Sequence, residues 1–260
     1  MSIPIYWVDA FETGPFTGNP AAVCVLPRWL DDGLLQSIAN QNNLSETAFI
    51  VADGKHWQIR WFTPAAEVDL CGHATLASAA VISRFLRPDA DMIEFSSRSG
   101  TLRVRREAEH LVLVFPSRPA QVRERLEPLA AALGAMPIAG WRAHYLLAEF
   151  ADQDQILGLK PDFSRVAALG NTGVIATAPG RAPIDFVSRF FAPAVGVNED
   201  PVTGSAHCAL VPYWSERLDR TELRAKQLST RGGELRCRFL GDTVEIGGRV
   251  RHYLQGTIEI

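Results

Sequence analysis

Two short stretches decide the fold of this sequence: residues 60–64 read RWFTP, and residues 189–193 read RFFAP. They are 129 positions apart (189 − 60), about half of the 260-residue chain. Each is followed by an acidic loop, a glycine and a helix-like segment. A third and weaker match sets SETAFIV beside NTGVIAT, at residues 45–51 and 171–177. Three matches in the same order indicate an internal duplication, so we predict two related lobes with a ligand cleft between them.

The helix-like segments after the repeat are made of small and apolar residues. HATLASAAVISRFL begins at His73, directly after Gly72, and SAHCALVPYWSERL begins at Ser205, directly after Gly204. A helix that is apolar on all sides is usually buried on all sides. The short β-branched and aromatic segments around both helices are typical of strands. The sequence therefore predicts an α+β fold in which a sheet curls around a central helix in each lobe.

The boundary between the lobes is best placed at FPSRPAQ, residues 115–121, where two prolines separate a strand from a helix. We predict an N-terminal lobe at 1–118 and a C-terminal lobe at 119–260. The last strand, YLQGTIEI at 253–260, is free to return to the first lobe. Residues 122–134 have the pattern of an amphipathic helix that stops at its final glycine.

The composition is that of a packed globular protein. Hydrophobic residues make up 47% of the chain and charged residues 21%. A formal net charge of −3 gives no electrostatic reason to expect nucleic acid or an anionic membrane as partner. The opening MSIPIYWVDAFETG lacks the pattern of a secretory signal, and no apolar run is long enough to span a bilayer. We therefore predict a cytoplasmic protein whose four cysteines are free thiols.

The two helix starts, Gly72–His73 and Gly204–Ser205, are candidate anion-binding elements. A helix N-terminus presents unpaired N–H groups and a partial positive charge. Glycine at that position lets a ligand come close to the backbone. If both starts face one cleft, they form a cradle for a carboxylate or an enolate oxygen.

Glu46 is the candidate general base. It lies in NLSETAF, at the beginning of an apolar strand, where partial desolvation would make a carboxylate a stronger base. The alternative is structural: Ser45 or Asn43 caps a turn, and Glu46 is a solvated residue at the start of the strand.

His73 and Asp200 complete the candidate catalytic set. The positive end of a helix is expected to lower the pKa of His73 and keep its imidazole neutral, although a histidine satisfied by core hydrogen bonds is the alternative. Asp200 is a second carboxylate that could divide acid and base duties with Glu46. It also precedes Pro201, where aspartate is a common turn residue.

Signatures of cofactor chemistry are missing from the sequence. HExxH, CxxC and closely spaced histidine pairs do not occur, so we predict no metal site. The glycine-rich nucleotide-binding motifs and GxSxG are also absent. The candidate chemistry is therefore cofactor-independent.

Four motifs together resemble the PhzF-like phenazine biosynthesis family. They are FTGNPAAV (16–23), LSETAF (44–49), CGHAT (71–75) and EDPVTGSA (199–206), in the order of the family. The resemblance implies a fold like that of diaminopimelate epimerase, with two lobes that each wrap a curved antiparallel sheet or barrel around a central helix. It also implies a homodimer.

The resemblance further implies roles for individual residues. Glu46, His73 and Asp200 correspond to the acid/base residues of the family, and Ser205 to its substrate-contacting serine. The type activity is isomerisation of a small carboxylate, trans-2,3-dihydro-3-hydroxyanthranilate. Racemases of the broader fold carry a cysteine before each helix glycine, whereas this chain has Cys71 and Thr203, and a threonine cannot serve as a thiolate.

Two alternative functions remain open at this point. One is an amino-acid epimerase or racemase on the same scaffold, and the other is a non-catalytic small-molecule binding protein. The sequence does not identify the physiological substrate.

Overall fold

The computed structural model describes residues 1–170 and 173–260. The chain divides into two compact units, one formed by Met1–Val114 with Gly247–Ile260 and the other by Phe115–Ile246. The first unit is therefore built from two separate stretches of the sequence. The predicted lobes were 1–118 and 119–260, with the last strand free to return to the first lobe. The structure divides the chain after Val114 and again after Ile246.

The elements follow the chain in a regular succession. The strands are β1 (Ser2–Ala10), β2 (Asn19–Leu26), β3 (Glu46–Asp53), β4 (His56–Phe62), β5 (Glu67–Val68), β6 (Met92–Ser97), β7 (Gly100–Glu107), β8 (His110–Pro116), β9 (Val122–Arg123), β10 (Ala139–Arg142), β11 (Leu146–Glu149), β12 (Val174–Pro179), β13 (Phe186–Phe191), β14 (Glu222–Gln227), β15 (Gly233–Phe239), β16 (Thr243–Gly248) and β17 (Val250–Glu259). The helices are α1 (Asp32–Asn42), α2 (Gly72–Val81), α3 (Leu126–Leu133), α4 (Gln153–Gly158), α5 (Phe163–Ala168) and α6 (His207–Leu218).

The predicted duplication is visible in the strand pairings. In the first unit, β1/β2, β2/β3, β3/β4, β4/β6 and β6/β7 pair in the order antiparallel, parallel, antiparallel, parallel, antiparallel. In the second unit, β10/β11, β11/β12, β12/β13, β13/β14 and β14/β15 repeat that order. The third and weaker sequence match includes residues 171–177, and the first two of these residues lie outside the part of the chain that the structure describes.

The sheets are mixed, which corrects the purely antiparallel arrangement that the family resemblance implied. Two pairings in each unit are parallel. Parallel neighbours need a crossover connection, and helices provide it here. α1 connects β2 to β3, and α2 lies between β4 and β6 in the chain.

The predicted central helix of the first unit is confirmed by its burial. All ten residues of α2 are buried, and the helix contacts β1, β2, β3, β7 and β17. In the second unit a 3-10 turn at Gly204–Ala206 leads into α6, which is buried over most of its length and packs on β14 and β15. The small apolar residues that predicted these helices allow strands to approach from several sides.

The repeated arginine pairs with a glutamate in each of the two units. Arg60 donates from Nε and Nη2 to the two carboxylate oxygens of Glu67, each at 2.7 Å. Arg189 does the same to Glu199, at 2.7 and 2.9 Å. In each unit the guanidinium lies over the phenylalanine two positions later in the chain. Such two-pronged pairs are geometrically specific, so they hold the acidic loop that leads to each helix start.

The predicted helix at 122–134 is shorter than expected, occupying Leu126–Leu133. Val122–Arg123 instead form β9, which pairs with β10 and removes those residues from the helix. Gly134 ends the helix as predicted, with a φ of 82°. None of the helices in the described part of the chain has the length and apolar composition needed to cross a membrane.

Candidate active site

Glu46 and His73, two of the predicted catalytic residues, are in direct contact. Glu46 is the first residue of β3, and His73 is the second residue of α2. Oε2 of Glu46 lies 3.1 Å from Nε2 of His73, and the two side chains are 18% and 6% exposed. The fold therefore joins two residues that are 27 positions apart (73 − 46) into one carboxylate–imidazole pair.

The other side of the imidazole is held by residues at the start of β2 and α2. Nδ1 of His73 lies 3.2 Å from the side-chain amide nitrogen of Asn19 and 3.5 Å from Sγ of Cys71. Asn19 is fully buried. Sequence reasoning did not select it, although it lies inside the FTGNPAAV motif. With contacts at both nitrogens, the ring of His73 has a fixed orientation.

Gly18 explains how Asn19 reaches that position. Its φ is +81°, and a Cβ added there would lie 2.5 Å from the carbonyl oxygen of Ala10. Only glycine has neither the conformational penalty nor the clash. The tight turn at Gly18 begins β2 at Asn19 and directs its side chain to His73.

The fold shifts the pKa of His73 in the direction opposite to the one that the helix start alone predicts. Burial by itself lowers the pKa of His73, but the facing Cys71 and Glu46 outweigh it and raise that pKa well above its usual value. Burial, with the charge of Glu46, also raises the pKa of Cys71. The carboxylate of Glu46 favours the protonated form of the imidazole. A full carboxylate charge at 3.1 Å exceeds the partial charge of a helix end, which explains the correction.

The start of α2 leaves backbone donors available beside this pair. Cys71 is the residue before the helix, and its side chain makes no standard capping hydrogen bond, although its thiol faces the backbone N–H of Ala74. The backbone carbonyl oxygen of Cys71 accepts hydrogen bonds from the backbone N–H and from the hydroxyl of Thr75. Anion binding at this first turn, beginning at Gly72, stays a prediction.

The predicted residues of the second unit form a separate set around Asp200. The Thr203 hydroxyl donates a short hydrogen bond to Oδ2 of Asp200. Gln227, which is fully buried, donates to the carbonyl oxygen of Asp200 at 2.8 Å and accepts from the backbone N–H of Thr203 at 2.9 Å. Thr203, the residue at the position corresponding to Cys71, thus acts as a hydrogen-bond donor to a carboxylate.

Ser205 belongs to the 3-10 turn of the second unit and has a partner that sequence reasoning missed. Its Oγ lies 3.1 Å from the hydroxyl of Tyr145, which is packed edge-on against Phe190. Burial raises the pKa of Tyr145, so its hydroxyl stays protonated at neutral pH. Gly204, directly before Ser205, is buried. No motif in the sequence includes Tyr145.

The structure thus gathers the predicted residues in two sets. Glu46, Gly72 and His73 belong to the first unit, and Asp200, Gly204 and Ser205 to the second. Within the first unit, Glu46, Cys71 and His73 each offer a metal-ligating atom, and these atoms lie within 4.8 Å of one another.

The chain has relatives among known proteins and solved structures. A family model described as phenazine biosynthesis-like protein, PhzC-PhzF, matches residues 8–256. The chain belongs to this family. An uncharacterized isomerase from Pseudomonas aeruginosa is 50% identical over the full length of both proteins. The crystal structure of a PhzF-family protein from Enterococcus faecalis is 44% identical, covers both chains completely and superposes with a TM-score of 0.97.

The family membership settles the class of protein. The chain is an isomerase with the α+β, epimerase-like fold that the sequence predicted. The same fold is seen in a hydroxyproline epimerase from Agrobacterium vitis, with a TM-score of 0.62 over 99% of this chain and 92% of that one. At 11% identity, that likeness concerns the fold alone.

Proposed function

We propose that this PhzF-family isomerase shifts a proton on a small carboxylate-bearing substrate, without a cofactor, and that Glu46 is the general base. The contact between Glu46 and His73 carries the proposal. A partly buried carboxylate, oriented by an imidazolium at 3.1 Å, is a suitable group for removing a proton from carbon.

The proton transfer follows from the charges of the pair. Glu46 removes a proton from a carbon of the substrate, and the electron pair of the broken C–H bond moves into the conjugated system. The new O–H group of Glu46 then returns the proton to another carbon of that system. His73, as imidazolium, orients the Glu46 carboxylate and stabilises negative charge nearby. The substrate and product are isomers, so no external oxidant or reductant is needed.

Backbone donors provide the second element of the mechanism. The backbone N–H groups at Gly72–His73, at the start of α2, hold the substrate carboxylate and stabilise charge that develops in the transition state. General acid–base transfer supplies about 10²- to 10⁴-fold acceleration. Preorganised donors of this kind contribute the larger share in many enzymes.

The residues of the second unit have predicted roles that we retain in the proposal. Gly204 and Ser205 bind an oxygen of the substrate, with Ser205 oriented by Tyr145. Asp200, which accepts a hydrogen bond from Thr203, is the alternative group for returning the proton to the substrate in place of Glu46.

The substrate class is a cyclic or conjugated carboxylate like trans-2,3-dihydro-3-hydroxyanthranilate, the type substrate that the family resemblance implies. The epimerase-like fold keeps amino-acid epimerisation as a second candidate. The two differ in where the proton returns: to another carbon in isomerisation, and to the same carbon in epimerisation. Analysis of product in deuterated solvent separates them. A homodimer in the cytoplasm also stays a proposal, which size-exclusion chromatography with light scattering tests for the oligomeric state.

The decisive experiment substitutes the base. Glu46→Gln keeps the shape of the side chain but cannot accept the carbon proton, so turnover of trans-2,3-dihydro-3-hydroxyanthranilate should fall at least about 100-fold with binding nearly unchanged. Glu109→Gln, at a glutamate of the same unit that is 73% exposed, is the matched control and should keep wild-type turnover. Near-wild-type rates for Glu46→Gln would remove Glu46 from the mechanism.

A further inference from the structure

The buried side chain of Gln227 is linked to the Asp200 carboxylate through Thr203, and all three residues belong to the second unit. We propose that Gln227 is a positioning residue of the enzyme: it fixes the direction in which the Thr203 hydroxyl donates, and so prepares Asp200 for proton transfer. The hydrogen bonds stand on the geometry alone, whereas the part in proton transfer rests on the proposed function.

The partners of Gln227 permit only one orientation of its side-chain amide. The backbone N–H of Thr203 is a donor and lies 2.9 Å from Oε1, whereas the carbonyl oxygen of Asp200 is an acceptor and lies 2.8 Å from Nε2. Rotating the amide by half a turn would set donor against donor at one contact and acceptor against acceptor at the other. Because Gln227 is fully buried, either mismatch would leave unsatisfied polar groups, so the orientation is fixed.

This orientation also sets the direction of the hydroxyl hydrogen bond. Nε2 of Gln227 lies 3.2 Å from Oγ1 of Thr203 and donates to it, so the hydroxyl oxygen is the acceptor there. The hydrogen of the same hydroxyl goes to Oδ2 of Asp200. Donation therefore runs one way, from the amide to the hydroxyl and from the hydroxyl to the carboxylate.

His207 anchors the other side of the Thr203 backbone. Its Nδ1 lies 2.9 Å from the carbonyl oxygen of Thr203, and this nitrogen carries the proton because a carbonyl oxygen only accepts. Burial lowers the pKa of His207 to about 4, so the ring is neutral at pH 7 and adds no charge to the network. With both backbone groups of Thr203 held, Gln227 is the group that directs its hydroxyl.

The two units share one bond that anchors the acidic loop. Ser99 donates to the carbonyl oxygen of Asp69 in the first unit, and Ser229 donates to that of Pro201 in the second, both at 2.7 Å. Asp69 and Pro201 each lie two positions before the residue that precedes the helix glycine. Loop anchoring is therefore a common property of the repeat.

A serine takes the place of Gln227 in the first unit. Ser99 and Ser229 are 130 positions apart (229 − 99), and the residue 130 positions before Gln227 is Ser97 (227 − 130). The hydroxyl of Ser97 donates to Gly100 inside its own turn. The first unit thus anchors its loop without an amide at this position, whereas in the second unit the amide accompanies a candidate proton-transfer group.

Removal of the amide tests the proposal directly. Gln227→Met keeps the length of the side chain and removes its three hydrogen bonds, so kcat for trans-2,3-dihydro-3-hydroxyanthranilate should fall at least about 10-fold, with KM changed less than about 3-fold. Gln58→Met is the matched control. It removes a partly buried amide of the first unit that accepts from Trp29 and donates to Asp53, and it should keep wild-type kcat.

Gln227→Glu separates the direction of donation from the anchoring of the loop. The introduced carboxylate still accepts from the Thr203 N–H but donates nothing, so the Thr203 hydroxyl should turn toward it and away from Asp200. Burial raises the pKa of the introduced carboxyl group, and its protonated form donates as the amide does. The ratio of variant to wild-type kcat should therefore rise as the pH falls from about 8 to about 5.5. Exchange of the Thr203 amide proton, followed by NMR, should stay as slow as in the wild-type protein.

Two results overturn the proposal: wild-type kcat in Gln227→Met, or a kcat ratio for Gln227→Glu that does not change with pH. Urea unfolding at both pH values establishes that each variant is folded, and if Gln227→Met does not fold, Gln227→Glu decides alone. Low kcat in Gln227→Met beside full activity in Glu46→Gln would remove Glu46 from the mechanism and keep Gln227. The opposite pattern would remove Gln227 alone.

Discussion

Gly18 offers a sharp test of how backbone conformation positions the candidate base. Gly18→Ala introduces a Cβ at a φ of +81°, 2.5 Å from the carbonyl oxygen of Ala10. The left-handed conformation costs a residue with a side chain about 1–2 kcal/mol, and overpacking against backbone adds about 1–3 kcal/mol. The free energy of unfolding should therefore fall by about 2–5 kcal/mol.

Two other glycines of the same unit separate these contributions. Gly54 also has a positive φ, +60°, but an added Cβ would meet nothing within 4 Å. Gly54→Ala should therefore cost only the conformational penalty, about 1 kcal/mol. Gly14 has open space and no positive φ, so Gly14→Ala should be close to neutral.

Urea unfolding followed by tryptophan fluorescence measures the three free energies, and turnover is measured on the same samples. Gly18→Ala should also lower turnover of the folded protein, because Asn19 follows directly and contacts His73. Equal losses for Gly18→Ala and Gly54→Ala would show that the close approach to Ala10 does not constrain the turn. A stable Gly18→Ala protein with full turnover would refute the argument that the turn at Gly18 positions Asn19 against the imidazole of His73.

Three further predictions concern the site. Tyr145→Phe removes a hydroxyl 3.1 Å from Ser205, so KM should rise about 2- to 10-fold with little change in kcat, and an unchanged KM would exclude Tyr145 from substrate binding. Exhaustive dialysis against a chelator should leave turnover intact, and activity restored only by a divalent metal would contradict the proton-transfer mechanism. The raised pKa of His73 should stabilise the fold below about pH 6.5, the unfolded value, with the contribution lost as pH rises through the folded pKa. His73→Gln should show no such pH dependence in urea unfolding, and matching profiles for the two proteins would place the effect on another group.

The sequence predicted the central elements of the fold for identifiable physical reasons. α2 was predictable because its residues are almost all small or apolar and leave no polar face for solvent, and all ten are buried. Glu46 and His73 were predicted separately, from a strand start and a helix start. The parallel pairings were missed because the strand patterns do not encode direction, which depends on where α1 and α2 return the chain.

Long-range contacts account for what sequence reasoning missed at the site. Asn19 reaches His73 across 54 positions, and Tyr145 reaches Ser205 across 60. No local periodicity relates such pairs. The pKa of His73 was predicted in the wrong direction because the helix start was weighed without the carboxylate that the fold places against it.

The division of the first unit into two stretches has a consequence for how the protein folds during synthesis. β1 pairs along its length with β17, yet the whole second unit lies between them in the chain. The ribosome therefore releases a complete second unit while one edge of β1 still lacks its partner. Contacts so distant in sequence form late, and an open strand edge invites pairing with other chains. The nascent protein should depend most on chaperones in that interval, which ends only when β17 emerges.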